Sequence, residues 1–203
     1  MYDTGSASLW QLSNGSDIAL TNNHVISGND GCYLDIPTSE TDLYEANIYT
    51  LNIASASAWN QLADEAIIPI LPGLNGSGLP RLDQLNYKIS SLRDCPSNTA
   101  QGSPVTIIGF PLFAALPDST NGSIIARTVT NGVISGYDNG ISGLPYSNYF
   151  VSATIDSGNS GGIALSKDAN GLCLLGIPTW ITMTGKYSNE GIVQNINNIM
   201  YSQ

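Results

Sequence analysis

The sequence predicts an all-β protein made of two β units, and three observations carry that expectation. Apolar residues come in short stretches of strand length, turn clusters separate the stretches, and the rhythm is interrupted once near the middle of the chain. In the front part the stretches are Leu9-Trp10, Ile18-Ala19-Leu20, Cys32-Tyr-Leu-Asp-Ile36, Ala46-Asn-Ile-Tyr-Thr-Leu-Asn-Ile53 and Ala66-Ile-Ile-Pro-Ile-Leu71. The clusters Ser13-Asn-Gly-Ser-Asp17 and Ser27-Gly-Asn-Asp-Gly31 mark turns between them. From Leu71 to Pro104 the chain becomes rich in Pro, Gly, Ser and Asn, which reads as a linker. Strand rhythm then resumes with Val105–Gly109, Ile124–Thr130, Val133–Ser135, Tyr149–Ala153, Gly162–Leu165 and Leu172–Ile177. The expected layout is a first unit over 1–75, a linker over 76–104 and a second unit over 105–203, with a cleft between the units as the natural ligand site. Only the end departs from this pattern. Ile192, Val193, Ile196, Ile199 and Met200 recur at helical spacing and predict a C-terminal helix laying an apolar stripe on the second unit.

Composition narrows the functional classes. At 203 residues and 42% hydrophobic the chain can bury a sizeable core, so intrinsic disorder is excluded. Charged residues make up 11%, against about 25% on average, which leaves the surface to Ser, Thr, Asn and Gly. Six Lys and Arg face sixteen Asp and Glu, for a net charge of −10. Duplex binding depends on phosphate neutralisation by clustered cations, and these six are scattered, so neither nucleic acid nor an anionic membrane is an expected partner. No apolar run reaches the roughly 18 residues of a spanning helix. The start of the chain lacks the basic-then-apolar order of a secretory leader. Cys32, Cys95 and Cys173 leave two possibilities open, one bridge with one free thiol or three thiols. Asn14-Gly-Ser, Asn75-Gly-Ser and Asn121-Gly-Ser fit a glycosylation acceptor but are read as tight turns.

Two segments could carry chemistry. His24, the single histidine, lies in Leu20-Thr-Asn-Asn-His-Val-Ile26, and alone it would count as a structural residue. Asp156-Ser-Gly-Asn-Ser-Gly-Gly162 sets Ser160 among glycines, so that a turn can present the hydroxyl while neighbouring amides converge on one point. Gly158-Asn-Ser-Gly-Gly162 also fits the nucleophile elbow of α/β-hydrolases, but there the histidine follows the serine, and here it precedes it. One histidine and scattered cysteines do not make an ordinary zinc site, so no metal or other cofactor is expected. A His-first, Ser-last order needs an acid between the two. Nine aspartates qualify by order, and Asp64 fits best because it stands at the mouth of the apolar stretch Ala66–Leu71.

Leu20–Ile26, Asp64-Glu-Ala-Ile-Ile-Pro-Ile70, Val105-Thr-Ile-Ile-Gly-Phe-Pro111, Thr128–Ser135, Gly158–Gly162 and Leu174-Leu-Gly-Ile177, in this order, resemble the signature strands of trypsin-like serine proteases, closest to the HtrA group. The resemblance implies a chymotrypsin-like double β-barrel with a C-terminal helix and a serine endopeptidase acting on polypeptides. It implies His24 as general base, Asp64 as orienting acid, Ser160 as nucleophile, and the amides of Gly158 and Ser160 as the oxyanion hole. An ordinary imidazole titrates near about 6.5 and can take the hydroxyl proton at pH 7.

Departures from the family pattern matter as well. Asn159 stands where digestive trypsin-like enzymes carry an Asp that pairs with a freed amino terminus, so activity is expected not to need an N-terminal cut. The usual disulfide positions flanking the histidine and the serine are empty, and, unlike in typical HtrA proteins, no PDZ domain is expected after the helix. Thr154 matches the specificity-pocket floor and is not the Asp that selects Lys or Arg. Thr179, Trp180 and Ile181 match the substrate-side strand, and Pro178 replaces the His of glutamyl endopeptidases. A preference for small or medium uncharged side chains follows. The competing functions are a silent binding or scaffold protein on the protease fold, and a protease dedicated to one self or partner cleavage. Composition points to a secreted, extracellular or periplasmic protein, and nothing in the sequence sets the oligomeric state.

Overall fold

The computed structural model describes residues 4–37, 46–70, 88–111, 115–118, 122–140, 143–181 and 191–199, with backbone alone at 46, 115–118, 122–125 and 180–181. The front unit holds β1 (Ser8–Gln11), β2 (Asp17–Thr21), the one-turn helix α1 (Asn23–Ile26), β3 (Cys32–Pro37), β4 (Ala46–Leu51) and β5 (Ala66–Pro69). β1, β2 and β5 form an antiparallel sheet with β2 central, and β3 pairs with β4 as a separate ladder. Alternation explains how they meet. Leu34 and Ile36 of β3 and Tyr49 and Leu51 of β4 turn inward onto Ala19 and Ile68 of the sheet. The turn expected at Asn14-Gly-Ser joins β1 to β2, with Gly15 at φ 84° and the Asn14 side chain accepting from the Ser16 amide. Asn75 and Asn121 lie outside the described residues.

The rear unit is a closed barrel. Its strands are β6 (Pro104–Gly109), β9 (Thr128–Tyr137), β10 (Tyr149–Val151), β11 (Ile163–Asp168), β12 (Gly171–Ile181) and β13 (Gly191–Asn195), in the order β10-β13-β12-β11-β6-β9. β7 (Ala115–Asp118) and β8 (Gly122–Ile125) make a side hairpin. Val105, Ile107, Ile134, Tyr149, Val151, Ala164, Leu175 and Val193 fill the barrel, each at most 1% exposed. Closure leaves no barrel strand with a bare edge, which is how an all-β chain avoids edge-to-edge pairing.

The C-terminal helix begins later than its apolar spacing predicted. Gly191–Asn195 is strand β13, paired on both sides, and among the described residues here Ile196–Ile199 is helical (α2). Ile192 and Val193 are therefore barrel residues, because a short apolar run satisfies strand and helix periods equally; Met200 lies outside the described residues. The helix also does more than cover the rear unit. Ile196 and Ile199 share a buried cluster with Leu174 and Ile177 behind and with Trp10, Ile18, Leu20 and Ile67 in front. That cluster is the core between the units.

The described end of the expected linker is sewn to both units. Ile89 bridges β1 through Gln11 N–H to Ile89 O (3.0 Å) and Ile89 N–H to Leu9 O (2.9 Å), and the Lys88 ammonium meets Asp17 at 2.6 Å. Arg93 and Cys95 bond to Leu174 at 2.8 Å each, Arg93 pairs with Asp168, and Cys95 forms a disulfide with Cys173. This settles the cysteine alternatives as one bridge plus a free Cys32.

Candidate active site

His24 stands on the first turn of α1, just past β2. That turn has Asn22 as its N-cap residue, but the Asn22 side chain does not cap it. The helix-end donor is instead satisfied from another element: His24 N–H donates to Asp64 Oδ1 at 3.0 Å, and His24 Nδ1 lies 2.6 Å from Asp64 Oδ2. Asp64 reaches this place because Thr21 pairs with Ala66 in the β2–β5 ladder, which brings the residues before β5 beside those after β2. An ionised carboxylate only accepts, so Nδ1 carries the proton and Nε2 of neutral His24 is left as the acceptor. The imidazole is 36% exposed and the carboxylate 18%, so the pair opens to solvent on one side.

The neighbour of Asp64 faces the other way. Glu65 is 2% exposed; one carboxylate oxygen accepts from Asn60 N–H, and Oε2 meets no partner among the described residues. Burial pushes its carboxyl up to about 7, only partly offset by the N–H groups of Asn60 and Trp59.

Ser160 lies in the turn between β10 and β11. Asn159 N–H donates to Asp156 O (3.0 Å) and Gly162 N–H to Asn159 O (2.9 Å), while Gly158 (φ 96°) and Gly161 (φ 85°) take up the left-handed conformations. A side chain at Gly161 would lie 2.1 Å from Ser6 O, so glycine is needed there for close approach as well. Among the described residues, the amides of Gly158 and Ser160 donate to no acceptor. The amide side chain of Asn159 is 1% exposed with both polar atoms unpartnered among the described residues.

Thr179 links the two halves. It is the extra residue at a β-bulge in β12, where the register to β13 shifts between Pro178 and Trp180. Its carbonyl accepts from Ser160 Oγ at 3.1 Å. Its side chain is buried, donates to Ile177 O (3.0 Å) and accepts from Asn22 Nδ2 (3.1 Å). The same Asn22 amide donates to Asp64 O at 2.6 Å. A chain of hydrogen bonds thus runs from Asp64 through Asn22 and Thr179 to Ser160, and His24 is held on Asp64 at its other end.

Of the remaining residues singled out from the sequence, Thr154 is exposed, with its carbonyl accepting from Thr130 Oγ1 at 2.7 Å. Trp180 and Ile181 lie on β12, and their side chains are outside the described residues. Sequence reasoning missed Asn22 and Glu65, and it missed that the side chain of Thr179, read as substrate-side, bonds to Asn22. The only signal for Asn22 is that it is polar and two residues from His24. Among the described residues, no group of three or more His, Cys, Asp or Glu could hold a metal ion.

A family model, the trypsin-like peptidase domain, matches residues 5–177, from the front unit into β12 of the rear unit and across the turn of Ser160. The chain belongs to the trypsin-like peptidase domain family. Within that family it is similar to the serine protease Do-like HtrA of Bacillus subtilis (strain 168), 28% identical over 171 residues, covering 81% of this chain and 31% of that protein. Solved structures with the same fold include the HtrA-type protease AlgW with a tripeptide, at TM-score 0.59 and 20% identity, covering 97% of this chain and 57% of that one. The same protease with a decapeptide gives 0.58 and 21%, over 94% and 47%. A serine-to-alanine variant of it with a decapeptide gives 0.61 and 22%, over 97% and 48%. The chain therefore spans about a third of the length of its Bacillus relative. The AlgW likenesses establish the chymotrypsin-like fold of this trypsin-like domain.

Proposed function

We propose that this trypsin-like domain is a serine endopeptidase with His24 as general base, Asp64 as its orienting acid and Ser160 as nucleophile. The observation that carries the reading is the hydrogen-bonded chain Asp64–Asn22–Thr179–Ser160 beside the His24–Asp64 pair, with the Gly158 and Ser160 amides facing no acceptor among the described residues. In this reading Ser160 Oγ leaves Thr179 O and attacks the scissile carbonyl carbon, while its proton passes to His24 Nε2. Asp64 stabilises the imidazolium through Nδ1. The oxygen that gains the electron pair is met by the two amides, each worth roughly 3 kcal/mol by comparison with oxyanion donors removed elsewhere. The C–N bond then breaks as His24 returns the proton to the amine, and water, deprotonated by His24, releases the acyl group from Ser160.

Substrates are polypeptides with small or medium uncharged side chains at the cleaved residue. Thr154 puts no carboxylate on the pocket floor to pair with Lys or Arg, and Pro178 brings no imidazole to pair with Glu. The disulfide supports placement in an oxidising, secreted or periplasmic setting. No helix among the described residues is long and apolar enough to cross a membrane. Nucleic acid has no place in this reading.

A second reading, a binding or scaffold protein without turnover, draws on the Ser160 hydroxyl resting on Thr179 O rather than on a base. Labelling with a fluorophosphonate, together with casein and peptide-library turnover, separates the two. The wild type is expected to label and cleave, and Ser160→Ala to do neither, with kcat down by about 10⁶. A wild type that does neither favours the scaffold. Labelling without turnover favours a protease dedicated to one cleavage, and a library profile dominated by Arg, Lys or Glu removes the specificity assignment.

A further inference from the structure

Ser6 belongs to no strand and to none of the signature segments, yet every polar atom it has is committed to the site or its surroundings. Its amide donates to Ser160 O at 2.7 Å, and its hydroxyl donates to Gly158 O at 2.7 Å. The hydroxyl oxygen also accepts from Phe110 N–H at 2.8 Å, and the Ser6 carbonyl accepts from Thr21 Oγ1 at 2.7 Å. The residue is 4% exposed, so none of these bonds is shared with bulk solvent. Ser6 is thereby anchored to the end of β2 through Thr21, to the end of β6 through Phe110, and to the nucleophile turn at two carbonyls.

From these contacts we infer that Ser6 is a positioning residue that holds the oxyanion-binding amides in place; the inference rests on the proposed peptidase mechanism. A trans peptide points its N–H and C=O in opposite directions, so fixing a carbonyl fixes the amide of the next residue. Ser6 Oγ fixes the 158–159 peptide and Ser6 N–H fixes the 160–161 peptide. Between them lies the 159–160 peptide, which carries the Ser160 N–H, with its carbonyl taken by Gly162 N–H at 2.9 Å. On the other side the 158–159 peptide adjoins the one that carries the Gly158 N–H. The turn needs this outside support because Gly158 and Gly161, both at positive φ, impose no conformation of their own. Flipping the 158–159 peptide would strand a buried carbonyl and a buried hydroxyl, a penalty that keeps the flipped form rare. The glycine at position 5 fits the same role, since a Cβ there would lie 2.6 Å from Val25 Cγ1 and 3.2 Å from Ser160 O.

The test compares Ser6→Ala with Ser8→Ala. Ser8 is 9% exposed on the same segment, and its hydroxyl accepts from Trp10 Nε1 at 2.7 Å and bonds to Leu20 O rather than to the nucleophile turn. Both variants lose a buried hydroxyl. Ser6→Ala leaves both Gly158 O and Phe110 N–H without their partner, and the expectation is that it lowers kcat and the fluorophosphonate labelling rate about 10- to 100-fold with KM within about 3-fold, the size expected when the stranded Gly158 carbonyl is the one that acts on the turn, while Ser8→Ala keeps kcat. Partial recovery in Ser6→Cys, which keeps a weak donor, is the conservative rescue. Equal kcat losses in the two alanine variants, or an unchanged kcat in Ser6→Ala, would overturn the inference. Amide exchange across 156–162 supplies a readout independent of turnover. Faster exchange there in Ser6→Ala than in Ser8→Ala supports the strap, and equal exchange refutes it. If the wild type neither labels nor cleaves, the peptidase reading and the catalytic role of Ser6 fail together, and the exchange result then decides only whether Ser6 orders the turn.

Discussion

Asp64 and Glu65 are adjacent in the chain and have opposite roles. Asp64 accepts two donors from one residue, the backbone N–H and the ring nitrogen of His24. Asparagine would present one acceptor and one donor to those two donors, so the imidazole would lose its orientation or its tautomer. Asp64→Asn is expected to keep the fold and to lower kcat by about 10⁴, read from peptide turnover and melting temperature together. Glu65 is held near 7 by burial, above its ordinary 4.5. A carboxyl whose folded value is raised binds its proton more tightly in the native state. Its contribution is therefore whole below about pH 4.5 and is lost as pH rises to about 7, and ionising it costs about 3 kcal/mol. Glu65→Gln should remove that loss: wild type and variant would differ little near pH 4.5, and the variant would melt higher at pH 8. A constant difference across the range would show that the carboxyl does not titrate in this window.

At the scale of elements, the stretch from Lys88 to Cys95 changes character most between sequence and structure. As sequence it is part of a linker; as structure it is fastened by a parallel bridge to β1, another to β12, two ion pairs and a disulfide. Cys95 and Cys173 are 78 residues apart, and closing a loop of that length constrains the unfolded chain by about 4 kcal/mol on the chain-entropy model. Replacing both cysteines by alanine should lower the melting temperature by about 10 °C, at roughly 2 to 4 °C per kcal/mol for a chain of this size. Reduction of the wild type should approach the same value, and a shift under about 2 °C would assign the stretch's order to its hydrogen bonds instead. The β12 bulge is the other decisive element. At the register shift Thr179 offers its carbonyl to Ser160 Oγ and its hydroxyl to Asn22 Nδ2.

Over the whole molecule the two units are not independent bodies. The cluster of Trp10, Ile18, Leu20 and Ile67 with Leu174, Ile177, Ile196 and Ile199 is contributed by both, and its residues are at most 6% exposed. Ile199→Ala, at a site 0% exposed, should cost about 2 to 4 kcal/mol. Because the site spans both units, the protein should still unfold in one calorimetric transition. Two resolved transitions in the wild type would show that the shared core does not couple them.

Strand rhythm, turn residues and the order of histidine, acid and serine were legible in the chain, because alternation and the chemistry of glycine-flanked turns act over a few residues at a time. The sequence by itself therefore determined the all-β class, the family, and the residues to look for at the site. Ile192 and Val193 were misread because five residues cannot distinguish a helix from a buried strand. The bonds that Thr179 makes to Asn22 and Ser160 left no mark in the sequence because a bulge depends on the partner strand. The Ser6 strap, the Asn22 bridge, the Cys95–Cys173 pairing and the burial of Glu65 were decided only by the tertiary structure. Each joins or encloses groups that the chain keeps apart, and such contacts leave no periodic trace in the sequence.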